Sequence, residues 1–257
     1  FQDLNYTSTA AGVRQIDSWH YRQRILSFFG RVNYDYKSKY LLSLVLRRDG
    51  YSKLPKDNRW GTFPGISAGW VLSRENFMES CSNVLSYAKI RASYGANGNV
   101  SGVLDANGNV VTGLDYYTVQ GSYGIMKDKD GKIVPNYNGK VPLMINDLPN
   151  PTMRWEKSYT FETGFDIGFL NNKYILNFTY YNRRTQDKFA EITLPSHSGV
   201  SSFLSNNGEV QNQGMELELT ANVLRTKDWK FTVSMNTAYN KNKIISLPYN
   251  GLPNNMQ

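Results

Sequence analysis

The chain of 257 residues has one cysteine, Cys81, and two histidines, His20 and His197. A lone thiol rules out an internal disulfide and a thiolate metal cluster. With so few histidines, no zinc-ligand spacing can be assembled, and neither a phosphate loop nor a dinucleotide fingerprint is present. There is no run of about 20 apolar residues, so no membrane-spanning helix can be placed. A leader with a charged start and an apolar centre is also lacking. The chain opens on Phe1, and we read it as an internal stretch of a longer polypeptide.

What the chain has in quantity is aromatic residues, at 14%, with 18 tyrosines and 5 tryptophans, and a net charge of +8. Such a charge favours an anionic partner surface but does not choose among nucleic acid, lipid headgroup and acidic glycan. Nucleic-acid binding calls for basic residues clustered with stacking aromatics. Here Lys and Arg are spread among acids along the chain, so no nucleic-acid partner is expected.

The dominant pattern is alternation. Tyr159, Phe161, Thr163, Phe165, Ile167 and Phe169 alternate with Ser158, Thr160, Glu162, Gly164, Asp166 and Gly168. The pattern returns where Met215, Leu217, Leu219, Ala221 and Val223 alternate with Glu216, Glu218, Thr220 and Asn222. A period of two means a strand with different solvents on its two faces. Similar stretches begin at Leu26, Tyr40, Ile66, Ala88, Tyr174 and Phe231, giving about eight strands. The connections differ in kind. Lys37–Lys39, Asn171–Lys173 and Arg225–Asp228 are tight and polar, whereas Asp49–Arg59, Ala96–Arg154 and Thr185–Gly208 are long and rich in Gly, Asn, Ser and Pro. The medium connection Ser73–Leu85 has Glu75, Phe77 and Met78 in position for a short helix. Short turns at one end and long loops at the other, with aromatics near the strand ends, are what an outer-membrane β-barrel needs. The fold expected is therefore all-β, an antiparallel transmembrane barrel segment with long extracellular loops. The segment 96–154 carries Asn107-Gly108 and Asp130-Gly131 between apolar flanks, and is expected to fold into β-ribbons.

Three motifs need weighing. Gly65-Ile66-Ser67-Ala68-Gly69 fits the nucleophile-elbow pattern, but that chemistry needs a strained strand-to-helix turn. Here Trp70-Val71-Leu72 continues the alternation, so Ser67 is read as a small inward strand residue. Asp105–Asn109 and Asp128–Gly131 resemble calcium loops, yet Gly stands fourth rather than sixth and the bidentate Glu is missing. They are read as turns. Glu216 and Glu218 share a strand face, as an acid pair would, but lumen-facing ion pairs are the simpler reading. No catalytic, cofactor or metal site is expected, and the chain is not read as an enzyme.

Several longer blocks carry a family resemblance. They are Gly30–Leu42, Arg47–Ser52, Asn58–Pro64, Lys89–Gly95 with Gly98-Asn99, Asn150–Ser158, Tyr180–Thr185 and Asn207–Leu219. In order and spacing, from about Ser27 to Lys243, the chain resembles the SusC/RagA family of TonB-dependent outer-membrane transporters. That resemblance implies a plugged barrel of about 22 strands, of which residues 1–257 form one part without the plug domain. It also implies import of oligosaccharide or oligopeptide across the outer membrane of a Gram-negative bacterium. The partners implied are a SusD-like surface lipoprotein, TonB acting through a part of the parent outside this chain, and outer-membrane lipid. Tyr116, Tyr117 and Tyr123 in the longest loop are the candidate substrate-binding residues, by stacking on a sugar ring or a peptide side chain. Phe161→Arg and Leu217→Arg are each expected to cost about 2–4 kcal/mol if they lie near mid-bilayer. Two alternatives stay open on alternation alone. One is a secreted soluble β-sandwich that binds carbohydrate, since a sandwich also has one wet face; the other is a self-closed barrel of eight strands.

Overall fold

In the computed structural model, the residues described are 22–101, 103–104, 110–112, 114, 118–126, 128, 133, 142–200 and 202–247. The strands, in chain order, are β1 (Ile25–Tyr36), β2 (Tyr40–Tyr51), β3 (Trp60–Val71), β4 (Leu85–Asn99), β5 (Val103–Leu104), β6 (Val110–Thr112), β7 (Ser122–Ile125), β8 (Leu143–Asp147), β9 (Glu156–Phe169), β10 (Tyr174–Thr193), β11 (Ser202–Arg225) and β12 (Lys230–Ser246). Eight of them form one sheet in the order β1-β2-β3-β4-β9-β10-β11-β12, every neighbouring pair antiparallel. β5 with β6 and β7 with β8 make two separate two-stranded ribbons.

This arrangement disposes of both alternatives. The large sheet has no second sheet of similar size among the described residues, so it is not half of a sandwich. Its strands run from 12 to 24 residues, against about 5–6 in soluble proteins. β1 and β12 lie at opposite edges and do not pair with each other, so the eight strands do not close. The sheet is a wall segment.

Register carries the alternation across the sheet. Ile90 pairs with Phe165, Phe165 with Phe178, Phe178 with Leu217, and Leu217 with Thr237. One face is therefore apolar along this row from Ile90 to Leu217, with Thr237 at its end, and the Phe165 and Phe178 rings stack 5.2 Å apart on it. Aromatics bound this face at both ends. Tyr36, Tyr40 and Trp70 form one stacked row, with successive ring centroids 6.4 and 6.3 Å apart. Phe28 stacks on Trp60 at 6.2 Å, with the Arg48 guanidinium over Trp60. Trp60 and Trp70 stand at opposite ends of β3, about ten residues or 33 Å apart along the strand at a rise of about 3.3 Å. Tilted by about 40°, that length spans about 25 Å of height, which matches the apolar band of an outer-membrane barrel. At the end with the long connections the dry face gives way to polar residues, where Asn182 and Arg184 pair with Gln213 and Gln211.

The tight connections lie where the sequence places them. Lys37 and Ser38 adopt φ of 54° and 52°, and Asn171 and Asn172 adopt 56° and 57°. Asp35 Oδ1 accepts the Ser38 amide at 2.6 Å, which offsets part of the left-handed cost in the first turn. Two boundaries differ from expectation. The stretch 185–208, read as a loop, is mostly strand: β10 and β11 continue pairing from Lys188↔Gly208 to Thr193↔Ser202. A register shift near Asp187, whose φ is 56°, lets the hairpin continue outward. Its Gly, Asn and Ser content reflects a wet ribbon rather than an unpaired loop. The short helix expected near Glu75 takes the 3-10 form, over Leu72–Arg74 and Asn76–Cys81.

That connection is tied to the rim. Glu75 accepts from Trp70 Nε1 at 3.1 Å and Lys39 Nζ at 3.0 Å, and Arg74 donates to the Ser38 carbonyl at 3.0 Å. Hydrogen bonds from Trp70, Tyr40 and Lys39 hold the Glu75 carboxyl below its ordinary value of 4.5. A depressed carboxyl contributes stability above its unfolded pKa and loses it as pH falls through the lower folded value. We therefore predict that the fluorine signal of 5-fluorotryptophan at position 70 stays fixed from pH 8 to about pH 5, then moves below about pH 4.3. Movement between pH 6 and 7 would contradict this tie.

Candidate functional site

The face opposite the dry one carries most of the sheet's polar side chains, interrupted at Phe29, Leu41, Val45 and Ile175. Register places Asn33, Ser43, Ser67, Ser93, Glu162 and Tyr181 in one row across β1, β2, β3, β4, β9 and β10. Ser67 sits mid-strand between Ser43 and Ser93, with no turn to expose it as a nucleophile. The hydroxyls form a ladder that lines a cavity of about 490 Å³ together with Lys89, Arg91 and Glu162.

One rung nearer the tight turns, Arg91 reaches across β9. Its Nε lies 3.4 Å from Asp166 Oδ1, and its Nη2 donates to Thr179 Oγ1 at 2.5 Å. Gly164, which pairs with both Arg91 and Thr179, leaves the lane free for the guanidinium. A Cβ there would stand 2.2 Å from the Phe178 carbonyl oxygen, so no other residue fits. Glu216 and Glu218 border the neighbouring cavity of about 810 Å³ with Arg91, Asp166 and Asn177. Asn177 Nδ2 donates to Glu218 at 3.3 Å. Arg91 and Asp166 form an ion pair in this lining, but among the described residues Glu216 and Glu218 are in no ion pair, which corrects the ion-pair reading of these two.

At the mouth, the end with the long connections, a buried cluster joins all of those connections. Tyr51, Leu54, Phe63, Ala96, Leu114, Met153, Trp155 and Phe189 pack together, and Met153 has no exposed surface. Trp155 is edge-on to Phe63 at 5.5 Å and to Tyr51 at 6.3 Å, and its Nε1 donates to the Arg59 carbonyl at 3.0 Å. Glu156 is buried, yet each carboxylate oxygen is satisfied: Oε1 accepts the Phe189 amide at 2.7 Å, and Oε2 accepts Asn99 Nδ2 at 2.8 Å. Asn150 donates to the Leu204 carbonyl and accepts from Thr152, while Asn206 bonds both the amide and the carbonyl of Arg154. Arg154 pairs with Asp187 at 2.7 Å; that contact raises the arginine's pKa further, and the guanidinium stays charged at any working pH. Buried amides and carboxylates satisfied in this way hold loops in one geometry. None of these residues was singled out for this role from sequence, although the block Asn150–Ser158 was part of the family resemblance.

Of the candidate substrate residues, Tyr123 lies on β7 and is 74% exposed. Tyr116 and Tyr117 lie outside the described residues. So do residues 105–109 and 129–131 of the two calcium-like turns, and His20. His197 falls in an exposed 3-10 turn, Ser196–Ser198. Among the described residues, no three His, Cys, Asp or Glu side chains gather as a metal site.

Comparison with known proteins matches residues 1–256 to the model of the TonB dependent receptor-like β-barrel. The chain belongs to the TonB-dependent receptor β-barrel family. It is 33% identical to TonB-dependent receptor P3 of Formosa agariphila over 96% of its own length and 23% of that protein's. It is 32% identical to TonB-dependent receptor SusC of Bacteroides thetaiotaomicron, over 92% of this chain and 22% of SusC. It thus spans about a quarter of the length of these curated relatives. Among solved structures, the RagAB peptide importer in its open-open state superposes with a TM-score of 0.74 at 25% identity, over 95% of this chain and 24% of that one. The siderophore receptor PirA of Pseudomonas aeruginosa, at 15% identity and a TM-score of 0.53, shares the fold alone. This TonB-dependent receptor segment is outer-membrane barrel wall of the SusC/RagA type, so its dry face meets lipid and its polar face meets the lumen. The proteins it is similar to are receptors and transporters, not enzymes.

Proposed function

We propose that this segment is wall and mouth of an outer-membrane active importer that carries oligosaccharides or oligopeptides inward. The partition of the sheet supports this reading: a dry face about 25 Å high between aromatic rows, backed by a mostly polar lining. Paired strands leave no free backbone groups in hydrocarbon, and side chains alone then decide what each face touches. Residues 1–257 form one part of a single barrel domain, with 96–154 as a long extracellular loop carrying ribbons. A SusD-like surface lipoprotein covers the mouth. Energy reaches the lumen from TonB through a part of the parent outside this chain. The segment carries out no chemistry on its cargo. The likeness to SusC and to the RagAB peptide importer supports the import role.

The β7–β8 ribbon stands out from the buried mouth cluster, and Tyr123 with Tyr116 and Tyr117 contacts cargo from this loop. Removing Ser122–Asp147 from the full-length receptor leaves Asn150, Met153 and Trp155 in place. The barrel is therefore expected to assemble normally, as read by heat-modifiable mobility, while uptake falls to background. Unchanged uptake would move cargo recognition off this loop. Removing all of 96–154 would be a poorer test, because it deletes part of the mouth cluster.

A further inference from the structure

Apolar residues interrupt the lumen face at Leu41, Val45 and Ile175, each half-buried, and at Phe29, which is exposed. Phe29 lies on the wet face of β1, between Ser27 and Arg31, and is 81% exposed. Its register partner is Arg47, and Arg31 follows two residues on along the same face. Cross-strand and diagonal neighbours on one face are about 5–8 Å apart, so one ring and two guanidinium groups share a small patch. β1 is one of the two edges of the sheet among the described residues. A further strand beside it would satisfy its backbone and leave the Phe29 face turned to the lumen.

The patch lines a cavity of about 460 Å³ with Ser43, Ser67, Glu162 and Arg183. Arg47 is fixed in place: its Nε lies 2.7 Å from Asp49 Oδ2, and its guanidinium carbon lies 5.5 Å from the centre of the buried Phe63 ring. Arg183 donates to Thr160 Oγ1 at 3.3 Å. Arg31 has no hydrogen-bond or ion-pair partner among the described residues. Three arginines face the carboxylates of Asp49 and Glu162, which leaves an excess of one positive charge. A guanidinium fork such as that of Arg31 matches a planar carboxylate, and one excess charge suits a monoanion better than a dianion. Beside it, the Phe29 face offers an apolar surface for a ring.

We infer that Phe29, Arg31 and Arg47 form a cargo subsite for a ring-bearing unit with a carboxylate, the ring against Phe29 and the carboxylate on Arg31. This rests on the import reading and adds a substrate class to it. Two cargo sources carry that chemistry, a uronic-acid residue of a glycan and a peptide ending in an aromatic residue with a free carboxyl.

The test uses the full-length receptor, purified in detergent for binding and in proteoliposomes for uptake. The probes are tetragalacturonate against its methyl ester, and the tripeptide Gly-Leu-Phe against its amide. The charged member of one pair is expected to bind at least about tenfold more tightly, and which pair shows the gap identifies the source. Arg31→Gln should close that gap without weakening the neutral member. Arg31→Lys, with a charge but no fork, should recover part of it. Phe29→Ala should weaken both members, and Phe29→Tyr should restore them. Heat-modifiable mobility confirms that each variant is folded. If the receptor binds or carries the neutral probes with no preference for the charged ones, the inference falls and import stands. If Arg31→Gln keeps the full preference, the inference also falls. If no probe binds and cells lacking the receptor take up oligomeric nutrients as well as wild type, both readings fall.

Discussion

Leu217→Arg in the full-length receptor is expected to destabilise the barrel by about 2–4 kcal/mol, and Phe161→Arg by only about 0–1 kcal/mol. Leu217 pairs with Phe178 on one side and Thr237 on the other, in the row that includes the stacked Phe165 and Phe178 rings. The Thr237 hydroxyl is its one polar partner in that row, and it offers no path to water, so a guanidinium there must be carried through hydrocarbon. Phe161 is also on the dry face, but its partner on β10 is Asn182, and Asn182 in turn pairs with Gln213. An arginine at 161 can extend to this polar band and keep its head in water. The two substitutions look equivalent by alternation, and register separates them. Unfolding titrations in lipid check both, and equal costs at the two sites would contradict the depth assigned to the band.

Trp155→Ala is expected to cost about 3–5 kcal/mol, the usual range for emptying a buried aromatic site. Two ring contacts and the bond to the Arg59 carbonyl disappear together. The loss falls at the mouth rather than in the membrane. The variant should therefore assemble, while its long connections become protease-sensitive and uptake drops. Trp155→Phe keeps most of the packing and loses one hydrogen bond, for about 1 kcal/mol. Wild-type protease resistance in Trp155→Ala would mean that the connections are held by something other than this cluster.

The dry stripes of β9 and β11 were legible because their period of two is local and unbroken. The lumen lining followed from the same count, including the inward Ser67. The long outer hairpin at 185–208 was not legible, since a wet ribbon has polar residues on both faces and reads as a loop. Asn150, Glu156 and Asn206 act through hydrogen bonds to residues 33 to 57 positions away. Spacing along the chain carries no trace of such contacts. Alternation already sets Phe29 in phase with Ser27 and Arg31, but its neighbour across the strand, Arg47, was legible only from the register.

The central claim is that one face of this sheet touches hydrocarbon and the other touches water. Nitroxide labels at successive positions from Met215 to Val223, in a full-length receptor with Cys81 replaced by Ser and reconstituted in lipid, test it directly. Collisions with oxygen should peak at 215, 217, 219, 221 and 223. Collisions with a water-soluble nickel complex should peak at 216, 218, 220 and 222. Accessibility without that alternation, or with its phase reversed, would contradict the account.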